Sequence, residues 1–145
     1  MSDDPDTAPV VLVADDDEDF LAFLATRLSR EPWDLRKASD GQEALDILLT
    51  KEIDVAVLDL KMPKLDALNI LKSVSREGIQ TDIIVVTGYA TVESAVLAMR
   101  RGAHNFLKKP LKTEELLTII RHLLDARYPS TRTLAQRLEA YVKDH

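Results

Sequence analysis

Residues 53–63 read I-D-V-A-V-L-D-L-K-M-P. An apolar run, Val55 to Leu58, stops abruptly on a carboxylate, Asp59. A short valine-rich run of this kind suits a strand buried on both faces of a parallel sheet. The chain then turns through Lys61, Met62 and Pro63, because proline has no N–H to give to a ladder. Asp59 is therefore expected at the carboxyl end of a central strand. In open α/β sheets that edge is where ligands bind.

The same pattern recurs on either side. Val10 to Ala14 is a compact apolar strand stopped by Asp15-Asp16-Asp17. Glu18 to Ser29 has helical spacing, with Phe20, Leu21, Leu24 and Leu28 on one face and acids at the start to complement the helix dipole. Trp33 to Ala38 reads as a weaker edge strand. Asp40 with Glu43 opens a second helix in the manner of a capping box, and that helix runs to about Lys51. After the central strand and the loop 59–66 comes a helix carrying Leu68, Leu71 and Val74, ended by Gly78. Asp82 to Val86 is a fourth strand, stopped by Thr87-Gly88. Val92, Ala95, Val96 and Met99 mark a fourth helix, closed by Gly102. Asn105 to Leu107 is a short fifth strand before Lys108-Lys109-Pro110. Thr113 is expected to cap a fifth helix with Leu116, Ile119, Ile120 and Leu123 inward. Strand and helix thus alternate five times, which implies a parallel sheet with helices on both faces, an α/β doubly wound fold. Pro129-Ser130 breaks the chain, and Leu134, Leu138, Tyr141 and Val142 mark one extra C-terminal amphipathic helix.

Composition narrows the function. The 145 residues suit one domain with a real core. The absence of cysteine excludes a disulfide framework, a thiol nucleophile and a zinc-thiolate site. No apolar run reaches the roughly 18 residues of a membrane span, and the polar, acidic start is no secretory signal. A cytoplasmic location without membrane attachment is the expectation. The net charge of −6 is unevenly placed: residues 1–19 hold eight acids and no base, while the rest carries 19 bases against 17 acids. The acidity belongs to one end, and direct nucleic-acid binding by this domain is not expected.

Four strands end on pointed chemistry: Asp15-Asp16, Asp59, Thr87 and Lys109. In a parallel sheet these ends share one edge, with neighbouring strands about 4.8 Å apart, so the side chains can converge. Three carboxylates together need a counter-charge, and a hard divalent cation with oxygen ligands, Mg²⁺ above all, supplies it. A carboxylate beside a metal, a hydroxyl and a lysine suits phosphoryl transfer, with the carboxylate as covalent acceptor. Singly, each residue has a plainer reading: a helix cap, a turn residue, a solvated lysine. The force lies in their order and in the apolar strand before each. His104 and His122 lack metal-ligand spacing and read as surface or half-buried residues. Phe106 reads as core by periodicity.

These residues are also the marks of a known family. Over residues 9–127 the chain resembles the receiver domains of two-component response regulators. V-L-V-A-D-D-D is similar to the family's acidic pair after the first strand, V-L-D-L-K-M-P to its phosphoacceptor motif, V-T-G-Y-A to its hydroxyl-bearing turn, and F-L-K-K-P-L to its lysine-proline motif. Four motifs in order are a specific signal. The resemblance implies a flavodoxin-like (βα)5 fold, over residues 9–128 here; the polar stretch 1–8 reads as a disordered acidic tail, and 129–145 as a linker and helix. The resemblance also implies that Asp59 accepts a phosphoryl group from a sensor histidine kinase or a phosphotransfer protein. Asp16, Asp59 and the backbone carbonyl of Lys61 would ligate Mg²⁺, with Asp15 acting through water. Thr87 and Lys109 would bind the phosphoryl oxygens, Phe106 would move inward as the switch aromatic, and the Lys109-Pro110 bond would be cis. The domain would be a signalling element rather than an enzyme, assisting its own Mg²⁺-dependent phosphotransfer and autodephosphorylation. Its fourth helix, fifth strand and fifth helix would form the responding face, partly basic through Arg100, Arg101, Lys108 and Lys112, on which a homodimer can form. Two departures stand out. Ala67 follows Asp66 where members often have glycine, which makes the loop less tolerant of unusual φ. Phe106 has no hydroxyl where many members carry tyrosine.

Lys61, two residues after Asp59, and Tyr89, two after Thr87, are expected at the mouth of the site. Tyr89 would shield a phosphoryl group from water, and Lys61 would aid reaction with anionic donors. Two rival readings stay open. Asp15 and Asp17 form the D-x-D of a haloacid-dehalogenase-type phosphatase, although Asp19 stands where that family has Thr or Val and Asp59 is left without a role. A flavin carrier would need hydroxyls and amides in the first loop, which here is the most acidic stretch of the chain. The C-terminal helix can be a linker into an output domain, a dimerisation element or a cap. Its run L-A-Q-R-L-E-A-Y-V-K-D-H faintly resembles the opening helix of arabinose-regulator-type DNA-binding domains.

Overall fold

A computed structural model describes residues 8–128. The expected tail (1–8, Ala8 excepted) and the expected linker and helix (129–145) lie outside the described residues. The elements follow in the order β1 (Val10–Ala14), α1 (Glu18–Leu28), β2 (Asp34–Ala38), α2 (Gly41–Thr50), β3 (Val55–Asp59), α3 (Ala67–Arg76), β4 (Asp82–Thr87), α4 (Val92–Arg100), β5 (Asn105–Lys108) and α5 (Thr113–Arg127). All strand pairs are parallel, in the order β2-β1-β3-β4-β5. The doubly wound α/β sheet expected from the alternation is the one observed, and its strand order is that of flavodoxin-like folds.

Period-2 alternation divides each central strand between two cores. Leu12, Ala14, Ala56, Leu58, Ile83 and Val85 face α2, α3 and α4, meeting Ala44, Leu48, Ile70 and Leu71. Val11, Val13, Val55, Val57, Ile84 and Val86 face α1 and α5, meeting Leu24, Leu28, Leu116, Leu117 and Ile120. Every residue of β3 is buried. Each such aliphatic side chain contributes about 1.5–3 kcal/mol when fully removed from water. β2 lies at the edge, as its charged D-L-R-K-A sequence suggests, and Arg36 and Lys37 discourage a further strand from pairing there.

Local chemistry sets the helix ends. Asp17, Asp40 and Asp66 accept from the N–H of Phe20, Glu43 and Asn69, capping α1, α2 and α3. Thr91 and Ser94 form a capping box on α4. Gly78 and Gly102 take positive φ after α3 and α4. Thr113 is not a cap: it is the first residue of α5, and the N-cap is Lys112, which makes no side-chain hydrogen bond. In the β3–α3 loop the left-handed residue is Lys64, φ 72, whereas Ala67 is buried inside α3. The Ala67 departure therefore falls where no unusual φ is needed. The apolar spacing that locates α4 does not mark its buried face. Val92, Val96 and Met99 are 81%, 43% and 47% exposed, and Ala98 is the buried residue.

Gly41 fixes the β3–α3 loop against α2. Its N–H donates to Pro63 O at 3.2 Å, and a Cβ there would lie 1.6 Å from Leu65 O. Backbone on both sides has no room to yield. Gly41→Ala is expected to lower stability by about 3 kcal/mol in urea denaturation. A change within experimental error would mean that the loop is free to move.

Candidate functional site

The four pointed strand ends meet at one edge of the sheet. Ala14 pairs with Leu58 and Asp59 with Val86, so the residues just past β1 lie beside the end of β3. Asp15 and Asp59 are buried and Asp16 is exposed, yet each offers a carboxylate oxygen within 4.8 Å of the others. Asp59 continues the parity of Val55 and Val57 and so belongs to the α1/α5 side.

The D-D-D run divides its work. Asp15 Oδ1 accepts from the Asp17 N–H at 2.9 Å, which fixes the turn. Asp15 Oδ2 accepts from Lys109 Nζ at 2.7 Å. Asp17 caps α1 through Phe20 N–H at 3.1 Å. Asp16 remains exposed at the mouth. Lys109 also lies 3.6 Å from Asp59 Oδ2, and its ammonium sits over the Phe20 ring, 4.1 Å from the centroid. The Lys109-Pro110 bond is cis, as the motif implied.

Burial pushes the Asp59 carboxyl up to about 6, and the charge of Asp15 adds to the rise against the opposing effects of Lys109 and a Lys61 backbone hydrogen bond. Burial works to lower the Lys109 pKa, but its hydrogen bond to Asp15 and the charges of Asp59 and Asp15 outweigh it, and the net shift is upward. Asp59 Oδ1 is buried and has no hydrogen-bond partner. Such a group in a native fold calls for an explanation, commonly a missing ion or a chemical role.

Thr87 ends β4 fully buried, and its Oγ1 accepts from the Tyr89 N–H at 2.9 Å. Phe106 is half-buried and packs on the α2/α3/α4 core. Lys61 and Tyr89 come together at the mouth, with Lys61 Nζ 5.9 Å from the Tyr89 ring centroid and Tyr89 70% exposed. Asp15, Asp16, Asp59, Lys61, Thr87, Tyr89 and Lys109 thus lie at this edge, whereas Phe106 pairs with Val85 inside β5. His104 and His122 are exposed and outside this edge. Phe20 was legible only as an apolar helix residue. The available signal was its place five residues after Asp15, at the third position of a helix that begins at the site.

A model of the response regulator receiver domain matches residues 11–121. The response regulator MprA of Mycolicibacterium vanbaalenii is 37% identical over 114 residues, which are 79% of this chain and 49% of that protein. The chain thus spans about half the length of this curated relative. The receiver domain of the Francisella response regulator 1452 superposes with a TM-score of 0.78 at 32% identity, over 83% of this chain and 99% of that one. A response regulator protein from Burkholderia pseudomallei, with a phosphorylated aspartic acid, calcium ion and citrate, gives a TM-score of 0.69 at 29% identity, over 92% and 74% of the two chains. Nothing in these comparisons supports a haloacid-dehalogenase-type phosphatase. With the family's fold and its four motifs brought to one edge, the chain belongs to the response regulator receiver domains of two-component signalling.

Proposed function

We propose that Asp59 is the phosphoacceptor, taking its phosphoryl group from the phosphohistidine of a sensor histidine kinase or a phosphotransfer protein. The observation that carries this is the Asp59 carboxylate: buried at the end of the central strand, with one oxygen unpartnered and a pKa raised to about 6. In the step, an Asp59 oxygen bonds to phosphorus as the phosphorus–nitrogen bond of the donor breaks, and the imidazole keeps the electron pair. Lys109 offsets charge on one phosphoryl oxygen, and the Thr87 hydroxyl donates to another. The phosphorylated aspartic acid of the Burkholderia relative supports the reading.

The acids fit a hard divalent cation: three carboxylates with ligand atoms within 4.8 Å, one of them with an orphaned oxygen. Asp16, Asp59 and the Lys61 carbonyl would hold Mg²⁺, with Asp15 behind them through water. When bound, the ion supplies positive charge against the phosphoryl oxygens. We take residues 9–128 as the domain and the cytoplasm as its location. Among the described residues no helix is long and apolar enough to cross a membrane.

The output follows from what borders Thr87. As Thr87 is drawn to the phosphoryl group, Phe106 turns inward and the α4–β5–α5 face changes. The exposed stripe Val92, Val96 and Met99 on that face fits a second copy of the chain. The domain acts as a switch, and loss of the phosphate by hydrolysis resets it. Tyr89 covers the approach of water to the phosphorus, and Lys61 pairs with anionic donors.

Treatment with a small phosphodonor and Mg²⁺ tests acceptor and output together. Intact mass should rise by one phosphate, and light scattering should show a dimer. Asp59→Asn should take no phosphate, and Val96→Glu should take it but stay monomeric. Undiminished labelling of Asp59→Asn would remove the assignment. Tyr89→Ala should lose its phosphate several-fold faster, and Lys61→Ala should be phosphorylated more slowly by small anionic donors. An unchanged lifetime in Tyr89→Ala would remove the shield.

The raised Asp59 pKa has a stability consequence. The unfolded group ionises near 3.9 and the folded one near 6. Between those values the folded state holds more protons, so stability falls as pH rises through this window and the full cost remains above it. In chelator at pH 7.5, Asp59→Asn should be more stable than the parent by about 1–2 kcal/mol. That gain should vanish at pH 4, and Mg²⁺ should narrow it at pH 7.5. Equal stability of the two proteins at pH 7.5 in chelator would contradict the electrostatic account.

A further inference from the structure

The Phe20 ring closes a circuit around the turn from β1 to α1. Asp15 Oδ1 accepts from Asp17 N–H at 2.9 Å. Asp17 Oδ1 accepts from Phe20 N–H at 3.1 Å. The Phe20 ring lies 4.1 Å from Lys109 Nζ, and Lys109 Nζ returns to Asp15 Oδ2 at 2.7 Å. Each contact fixes the next, and the first and last share one carboxylate.

We propose that Phe20 is a positioning residue for the phosphoryl chemistry: its ring covers the open side of the Lys109 ammonium and holds it on Asp15 and Asp59. The inference rests on the reading of Asp59 as phosphoacceptor. A lysine reaches its partners on a flexible four-carbon stem. Two carboxylates on one side leave its head free to swing towards water. An aromatic face opposite them attracts the cation by its quadrupole and excludes water without offering a competing acceptor. Lys109 then meets an arriving phosphoryl group already aimed and partly dry, which strengthens its effect on the developing charge. An aliphatic residue at position 20 would fill the same space but would not attract the ammonium.

Phe20 also packs on the α1/α5 core, so a purely structural role is the competing account. Two readouts separate them. In the NMR spectrum of the parent protein, the Lys109 side-chain methylene protons nearest the ammonium should be shifted upfield by the ring current. That shift should persist in Phe20→Tyr and disappear in Phe20→Leu. In phosphorylation by a small phosphodonor, followed by intact mass, Phe20→Leu should lose about tenfold in maximal rate with little change in the donor concentration for half-saturation. Phe20→Tyr should restore most of it. Absence of the ring-current shift in the parent protein, which needs no variant to fold, would overturn the proposal. So would a Phe20→Leu rate equal to that of the parent. Labelling of Asp59→Asn in the same assay would instead sink the acceptor assignment beneath it, so the two failures are distinguishable.

Discussion

Lys109 stands between two buried carboxylates, and most of the molecule serves that arrangement. Parallel pairing of β1 with β3 brings Asp15 beside Asp59, and burial makes their repulsion expensive because water cannot screen it. One ammonium, 2.7 Å from the first and 3.6 Å from the second, offsets part of the repulsion. It reaches them from the far edge of the sheet, where the backbone of β5 hands over to the lysine-proline turn. The balance is incomplete: Asp59 keeps a raised pKa and an oxygen without a partner. A site left short of positive charge is what the proposed cation and phosphoryl chemistry would call for.

The sequence made the scaffold legible because its signals are local and redundant. Valine-containing apolar runs stopped by acids or by Thr87-Gly88 locate β1, β3 and β4, and carboxylates at Asp17, Asp40 and Asp66 cap three helices. The placement of Asp15, Asp59, Thr87 and Lys109 was legible for the same reason, since each stands at or just past a strand end. What escaped depends on distance in the chain. Phe20 and Lys109 share no sequence signal that would join them. Periodicity also misled at α4. The spacing of Val92, Val96 and Met99 is that of a buried face, but the small residue Ala98 is what meets the core, and the larger residues face solvent. Helical spacing records that residues share a face, not which neighbour covers it. Thr113 misled by type: threonine favours caps, yet the chain enters α5 one residue earlier, at Lys112.

The opposite edge of the sheet carries a third buried acid that no motif announces. Asp54 stands just before β3, as Asp59 ends it. Asp54 Oδ2 accepts from Val10 N–H at 2.8 Å. Its Oδ1 accepts from the Tyr128 hydroxyl at 2.6 Å and from Arg127 Nε at 3.3 Å. Arg127 also reaches Asp82 at 3.1 Å. Burial first, and then the bond to Asp54, push the Tyr128 phenol up to about 12. This network ties the end of α5 to the starts of β1, β3 and β4.

The two acids that bracket β3 differ in how their buried charge is matched. Both are nearly inaccessible, at 5% and 8% exposure, and both sit at strand ends, so burial alone does not distinguish them. Satisfaction of their hydrogen bonds does. Asp54 has donors on both oxygens and a guanidinium beside it, so ionisation there is matched by fixed partners and the group is a joint. Asp59 faces another carboxylate and lacks a donor on Oδ1, so its ionisation is not matched by fixed partners. Because β3 joins the two, the matched end ties the strand to its neighbours, and the unmatched end is the one the proposed phosphoacceptor reading uses. Under the proposed function, motion on phosphorylation would then run away from this tied edge, into the loops beside Thr87 and the α4 face beyond them.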